Sequence, residues 1–173
     1  MKYKSIVISG PIASGTTTAA KTLSEKLDLP YSSAGDFFRQ YALDHNIPLY
    51  AKEDIPDEID KKIDKELTTL AKKGTIIDSH YAGYFNRNNK KVLKVLLTAD
   101  EDVRIKRALS RTHTHKETPE EIKKREQAHD KKFRKLYADE NHLDPKFFDL
   151  VIDTTPTQPE KVVEKIIKKF SEK

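Results

Sequence analysis

The 173-residue chain contains no cysteine and no long hydrophobic run. The absence of cysteine excludes disulfide bonds and cysteine-ligated zinc, and it is compatible with a reducing compartment. No stretch approaches the roughly 20 apolar residues of a membrane span. The charged start at residues 1–4 precedes only a short apolar run, 6–8, which is too little for a signal peptide. We therefore expect one cytoplasmic domain over residues 1–173, with no membrane partner.

Basic residues only slightly outnumber acidic ones. Lysine and arginine number 33 against 28 acidic residues, a formal net charge of +5. A positive balance favours an anionic partner, either a nucleotide or a nucleic acid. Because the acidic residues nearly match the basic ones, a polynucleotide partner is not favoured. For the assembly we expect a monomer or a weak dimer.

Glycine is scarce, and two of the five glycines frame the stretch "GPIASGTTT" directly after an apolar run. Gly10 and Gly15 have the spacing of the phosphate-binding loop G-x-x-x-x-G-K-[ST], with Thr16 in the place of the lysine. In such a loop the backbone N–H groups and the following helix N-terminus attract phosphate. A simple glycine turn is the alternative. We predict that ATP phosphates bind to Gly10, Pro11, Ile12, Ala13, Ser14, Gly15, Thr16, Thr17 and Thr18, and that Thr17 is a Mg²⁺ ligand.

Short β-rich runs alternate with amphipathic segments along the whole chain. The runs predict strands over about 3–9, 29–32, 75–78, 92–98 and 148–153. The amphipathic segments predict helices over about 16–27, 35–42, 57–73, 100–112, 119–137 and 159–170. Thr118 is the predicted N-cap of the fifth helix, with Pro119 at its first position. This alternation indicates an α/β fold with a parallel sheet and helices on both faces.

Ligands of such sheets bind beyond the carboxyl ends of the strands. Asp78 ends a predicted strand there, where a carboxylate holds Mg²⁺ directly or through water. An acid that only caps a turn is the alternative. Arg104, Arg107 and Arg111 lie three and four residues apart, on roughly one helix face. We interpret Arg104 as a solvated surface residue, and Arg107 and Arg111 as candidates to clamp transferring phosphates.

Six further segments follow the loop in a recognisable order. They are "SSAGDFFRQYA" (32–42), "IPDEIDKKIDKEL" (55–67), "GTIIDSHYAGYF" (74–85), "DVRIKRALSR" (102–111), "KKREQAHDKKFRKLY" (123–137) and "FFDLVIDTT" (147–155). In this order and at these separations the chain resembles the nucleoside monophosphate kinases. It is most similar to the archaeal-type cytidylate kinases, over nearly its full length.

The resemblance implies a P-loop NTPase three-layer sandwich with a five-stranded parallel sheet. It also implies an insertion that binds the nucleoside monophosphate, at about 32–73, and a short lid at about 112–119. The implied reaction is transfer of the γ-phosphoryl group of ATP, with Mg²⁺, to CMP or dCMP. The resemblance assigns the nucleoside monophosphate to Ser33, Asp36, Arg39, His80 and Lys132, and it assigns the catalytic contacts with the phosphates to Arg107, Arg111 and Arg125.

Three positions depart from the pattern of that family. Thr16 replaces the lysine of the loop, His80 replaces an arginine, and Lys132 stands where arginine is usual. Each change weakens the positive charge aimed at phosphates, and losing one such contact costs about 10²–10³ in rate. Two alternatives therefore stay open. One is a catalytically weakened or inactive nucleotide-binding protein, and the other is a kinase for another small acceptor, such as another nucleoside monophosphate or dephospho-coenzyme A.

Overall fold

Five short strands form one parallel sheet in the part of the chain that the structure, a computed structural model, describes: residues 2–110 and 116–172. The strands are β1 Ser5–Ser9, β2 Tyr31–Ser33, β3 Ile76–Asp78, β4 Val92–Thr98 and β5 Leu150–Asp153. They lie in the order β2-β3-β1-β4-β5, and every neighbouring pair is parallel. This confirms the predicted sheet and brings the carboxyl ends of all five strands to one edge.

Seven α-helices accompany the sheet within the described residues. They are α1 Thr16–Leu27, α2 Ala34–Asp44, α3 Asp57–Leu70, α4 Ala82–Phe85, α5 Glu101–Leu109, α6 Pro119–Leu136 and α7 Pro159–Phe170. The sequence did not predict α4 or the short 3₁₀ helices Lys52–Asp54 and Pro145–Phe147, because one turn is too short to show a period. No helix in the described ranges is both long and apolar enough to cross a membrane.

Alternating side chains of β1 divide the core between the two faces of the sheet. Ile6 and Ile8 pack with α1 and α7, whereas Val7 packs with α3 on the opposite face. All three side chains are fully buried, and each contributes about 1.5–3 kcal/mol through the hydrophobic effect. The result is a three-layer sandwich whose central sheet gives the loops at its edge a rigid base.

The start of α6 is fixed by the cap that the sequence predicted. Thr118 accepts a hydrogen bond from the backbone N–H of Glu121 at 3.2 Å, and the Glu121 carboxylate accepts one from the N–H of Thr118 at 2.8 Å. Pro119 occupies the first helical position, where no N–H is needed. This reciprocal capping sets the direction in which α6 leaves the predicted lid segment.

Candidate active site

The loop between β1 and α1 has the backbone that phosphate binding requires. A Cβ atom on Gly10 would lie 2.4 Å from the carbonyl oxygen of Leu97, so only glycine fits there. Gly15, at the N-cap of α1, has φ 97°, a left-handed conformation that glycine adopts readily. Gly15 has no side chain to cap the helix, so the first N–H groups of α1 remain available to an anion. The geometry agrees with the predicted loop Gly10–Thr18.

Two cavities flank this loop. The first, here called the front cavity, lies between the loop, α2, the start of α4 and α6, and Asp78 and Arg39 are among its lining residues. The second, here called the rear cavity, is lined by the other side of the loop together with Arg107 and Thr154. The loop therefore separates two spaces, each with an arginine in its lining.

Thr17 and Asp78, which the sequence predicts as Mg²⁺ ligands, contact each other. The Thr17 hydroxyl donates to Asp78 Oδ2 at 2.6 Å. Burial raises the pKa of Asp78, while the hydroxyls of Thr17 and Thr16 lower it. Oxygen ligands of this kind suit Mg²⁺, which keeps several waters and substrate oxygens around it. No cluster of three or more metal-binding side chains occurs within residues 2–110 and 116–172.

Thr16 brings a hydroxyl group to the position of the missing lysine. Its side chain lines the front cavity, and its hydroxyl helps to lower the pKa of Asp78. Three other side chains supply positive charge to the lining of this cavity: Arg39, Lys52 and Arg125. Lys52 lies in the loop between α2 and α3, which shows no periodic pattern in the sequence, and it was not predicted.

Arg39 is held in place by its own helix. Its guanidinium forms an ion pair with Asp36, and Ser33 caps α2 by accepting from the Asp36 N–H at 3.2 Å. Arg39 lines the front cavity. Within the described ranges, neither Ser33 nor Asp36 is among the residues that line this cavity, and Asp36 contacts Arg39. Their contact with a nucleoside stays a prediction.

His80 lies in the front cavity as a neutral group. Its ring stacks on that of His129 with centroids 4.4 Å apart, and the ring of His142 is 6.5 Å away. Burial, together with the nearby His142 and Arg125, lowers the pKa of His80 to about 3. At neutral pH the side chain at this predicted phosphate-binding position therefore offers a hydrogen bond without a charge.

Lys132 requires a correction, since its ammonium group is used elsewhere. Nζ donates to the carbonyl oxygen of Ile55 at 2.6 Å and pairs with Asp57 at 2.8 Å. The side chain is buried, and among the described residues it is not one that lines the front cavity. Lys132 therefore anchors the start of α3 to α6, whereas the sequence predicted that it binds the nucleoside monophosphate.

Two of the three arginines predicted to contact phosphates, Arg107 and Arg125, lie in different cavities. Arg107 donates to the Thr154 hydroxyl at 3.0 Å and to its carbonyl oxygen at 2.7 Å, in the rear cavity. Arg125 lines the front cavity and pairs with Glu117 at 3.1 Å. Arg111 lies outside the described residues, as do residues 112–115 of the predicted lid. The loop thus separates Arg107 from Arg125.

Arg104 requires a second correction, because it is buried rather than solvated. Its Nη1 donates to the Ile12 carbonyl oxygen at 3.1 Å and to Glu126 Oε1 at 2.8 Å. Glu126 Oε1 also accepts from the Ile12 N–H at 3.2 Å. Helical spacing placed Arg104 on one face with Arg107 and Arg111, but it could not show that α6 covers the Arg104 end of that face.

Parallel strands, a phosphate loop before α1 and an acid at the end of β3 together define a P-loop kinase. A family model described as an AAA domain (AAA_18) matches residues 6–132. Shikimate kinase from Bacteroides thetaiotaomicron has a similar fold, with a TM-score of 0.63 and 16% identity over 97% of this chain and 98% of that one.

Comparison with curated relatives shows which family of P-loop kinases this chain belongs to. The cytidylate kinase of Sulfolobus acidocaldarius is 41% identical, over 97% of this chain and 94% of the relative. The cytidylate kinase of Sulfurisphaera tokodaii is 37% identical, over 95% and 93%. The chain belongs to the archaeal cytidylate kinases, a branch of the nucleoside monophosphate kinases. This confirms the resemblance that the sequence motifs carried.

Proposed function

We propose that the protein transfers the γ-phosphoryl group of Mg²⁺-ATP to CMP or dCMP, giving ADP and the nucleoside diphosphate. The observation that carries this proposal is the position of the phosphate loop between two cavities. Direct transfer needs a donor and an acceptor on either side of one phosphoryl group, roughly in line. The two cavities offer that arrangement, and the names of the curated relatives favour CMP as the acceptor.

The donor nucleotide would lie along the loop with its nucleoside end in the rear cavity. Backbone N–H groups of Gly10–Thr18 and the N-terminus of α1 would bind its phosphates. Arg107 and Thr154 would contact the nucleoside end. Thr17 and Asp78 would hold Mg²⁺, which, when bound, neutralises charge on the β- and γ-phosphates.

The acceptor would lie in the front cavity with its phosphate toward Arg39 and Arg125. The phosphate of a nucleoside monophosphate is largely a dianion at pH 7. Because its oxygen is already deprotonated, it attacks the γ-phosphorus without a general base. The bond from that phosphorus to the bridging oxygen breaks, and ADP leaves with the electron pair. A phosphate dianion beside His80 would raise the pKa of the imidazole, since a nearby opposite charge favours the protonated form.

The chain would be organised as one domain with two functional segments. Residues 32–73 would be the insertion that binds the acceptor, which is supported by Arg39, Lys52 and Asp64 lining the front cavity. Residues 112–119 would be the lid, whose Glu117 pairs with Arg125. For the intact protein we propose a cytoplasmic location and a monomeric or weakly dimeric state.

A coupled assay of ADP release tests this function. Mg²⁺-ATP is supplied with CMP, dCMP, UMP, AMP, GMP or dephospho-coenzyme A, and we expect the highest kcat/KM with CMP or dCMP. An Arg39→Met variant should raise the KM of the acceptor while leaving that of ATP in place. Lys62→Met, an exposed change on α3, serves as the control. Absence of ADP release with every acceptor would contradict the proposal.

One observation favours a second candidate, a nucleotide-binding protein with little or no transfer activity. Thr16 supplies no charge to the phosphates, and His80 is neutral. Tight binding of ATP in calorimetry without turnover of any acceptor would support this candidate. Phosphorylation of dephospho-coenzyme A in preference to every monophosphate would instead support a kinase for another acceptor.

A further inference from the structure

One part of the front cavity combines an apolar lining with two charged side chains that the phosphate chemistry does not use. Phe38, Ala42 and Leu49 supply the apolar lining, and Lys52 and Asp64 supply the charges. All five residues lie between the start of α2 and the middle of α3, away from the loop in sequence. Flat apolar lining with a few fixed polar groups is typical of a pocket for a small ring.

Asp64 is a buried residue, and only one of its two carboxylate oxygens accepts a hydrogen bond from the described residues. The Tyr137 hydroxyl donates to its Oδ2 at 2.6 Å. Its other oxygen, Oδ1, accepts no hydrogen bond from residues 2–110 or 116–172. Lys52 influences it through charge at longer range, without forming an ion pair with it. Burial raises the pKa of Asp64 to about 6. Keeping a charged carboxylate buried costs free energy, and such perturbed groups are common in functional sites.

Lys52 is held by a second acid of α3, Asp60. Its Nζ lies 2.5 Å from Asp60 Oδ1, in an ion pair whose angles do not meet those of a hydrogen bond. The same ammonium lies 3.2 Å from the centre of the Phe38 ring. An ammonium group has three donors, so Lys52 keeps hydrogen-bonding capacity for a ligand in the cavity.

We propose, resting on the function proposed above, that Asp64 determines the base specificity by accepting a hydrogen bond from the amino group of the acceptor base. Oδ1 accepts from the 4-amino group of cytosine, and Lys52 donates to an acceptor atom of the same ring. Uracil carries a carbonyl oxygen in place of that amine, so its oxygen faces the carboxylate oxygen. The carboxylate therefore excludes uracil through repulsion as well as through the lost bond.

Asp64 has one oxygen that its contact with Tyr137 does not use. Tyr137 donates to Oδ2 alone, and Oδ1 is open to the cavity rather than enclosed by protein. Because Asp64 lines the cavity, the free capacity is available to a bound ring. Sites built around a buried hydrogen bond to the substrate reject analogues that lack the matching group.

The test compares Asp64→Asn with the parent on three acceptors: CMP, UMP and the CMP analogue with hydrogen in place of the 4-amino group. We expect the parent to prefer CMP over both others. In Asp64→Asn, kcat/KM for CMP should fall at least tenfold, mainly through KM, while that for the analogue changes little. Use of UMP should rise relative to CMP because an amide N–H donates to a carbonyl. The KM of ATP should not move.

Glu66→Gln is the matched control, because Glu66 is an exposed acid on the same helix. This variant should keep the parent's preference among the three acceptors. If Asp64→Asn lowers kcat/KM equally for CMP, UMP and the analogue, or raises the KM of ATP, Asp64 is structural and the inference is overturned. Equal use of CMP and the analogue by the parent overturns it without any variant.

Tyr137→Phe keeps the test decisive if Asp64→Asn does not fold. It removes the hydroxyl that holds Asp64. We expect the ratio of kcat/KM for CMP to that for UMP to fall, but by less than in Asp64→Asn. An unchanged ratio would count against the inference. If the parent phosphorylates no monophosphate, the proposed function fails separately. Calorimetric titration of CMP and UMP then tests Asp64 alone, and equal affinity of the parent for both overturns its assignment.

Discussion

Arg104 of α5 and Glu126 of α6 form an ion pair at 2.8 Å that also holds the phosphate loop. The arginine binds the carbonyl oxygen of Ile12, and the glutamate binds its N–H group. The two helices lie on either side of the predicted lid in sequence. A movement of either helix would therefore be transmitted to a peptide unit of the loop.

We predict that Glu126→Gln raises the KM of ATP by about tenfold, because a hydrogen bond to a charged group is worth about 1.5–3 kcal/mol and this one is partly buried. The KM of CMP should change less, since Ile12 belongs to the donor loop. Steady-state kinetics with each substrate varied in turn provide the measurement.

Glu101→Gln is the matched control for that change. Glu101 of α5 pairs with Lys123 of α6 at 2.7 Å, so it joins the same two helices, but the pair is exposed. Exposed pairs contribute little to stability or geometry. The KM of ATP should stay at the parent value, and an equal rise in both variants would refute a specific role for the buried pair.

Asp78→Asn should lower kcat by about 10²–10³, the usual loss when one electrostatic contact to the transition state is removed. In the absence of ligands and Mg²⁺ the same variant should be at least as stable as the parent. The reason is that burial raises the pKa of Asp78, so the folded protein holds the charged form at a cost. Kinetics across a Mg²⁺ titration and thermal unfolding give the two readouts. Retained activity at saturating Mg²⁺ would exclude Asp78 as a ligand.

Thr16→Lys should not increase kcat, although it restores the lysine of the loop motif. An ammonium group here would pair with Asp78, which now accepts a hydrogen bond from the Thr17 hydroxyl. We therefore expect weaker Mg²⁺ dependence and an unchanged or lower rate. Thr16→Ser retains the hydroxyl and is the control. A gain in kcat would show instead that the missing charge limits transfer.

The free energy of unfolding should fall as the pH drops from 6.5 toward 3. Burial lowers the pKa of His80 to about 3 from its usual 6.5, so in this range the unfolded chain takes up a proton that the folded protein does not. Each such histidine costs up to about 1.4 kcal/mol per pH unit. The pKa of His142 is lowered to about 4 and that of His129 is also lowered, both by burial.

Urea unfolding at pH 7 and pH 5 measures this dependence. His80→Asn should reduce the difference between the two pH values, although the other two buried histidines keep part of it. His45→Asn, at an exposed position after α2, serves as the control and should leave the difference as it is in the parent. A parent protein that is equally stable at both pH values would contradict the prediction.

The sequence alone predicted the sheet and the phosphate side of the site. The helix α1 begins and ends at the predicted residues, 16 and 27, because a glycine precedes it and its apolar positions repeat cleanly. Asp78 was identifiable since parallel strands bring their carboxyl ends to one edge. These features depend on local pattern and on a general rule of α/β folds.

The acceptor side was predicted less well, for a physical reason. A helical pattern shows which residues share a face, but it does not show which neighbour covers that face. Arg104 and Lys132 were therefore misjudged, and both turned out to be buried partners of other elements. Asp64 lies among the apolar residues of α3, and an acid at that spacing was the one available signal that this residue is buried.

Asp60 is shared by two buried ammonium groups, at 2.5 Å from Lys52 and 3.5 Å from Lys132. Without that carboxylate, two positive charges from different segments would face each other inside the protein. If Asp64 binds the acceptor base as proposed, α3 carries two acids with separate roles one turn apart. Substitution at position 64 would then change the acceptor preference, whereas position 60 has to stay acidic because it pairs with both lysines.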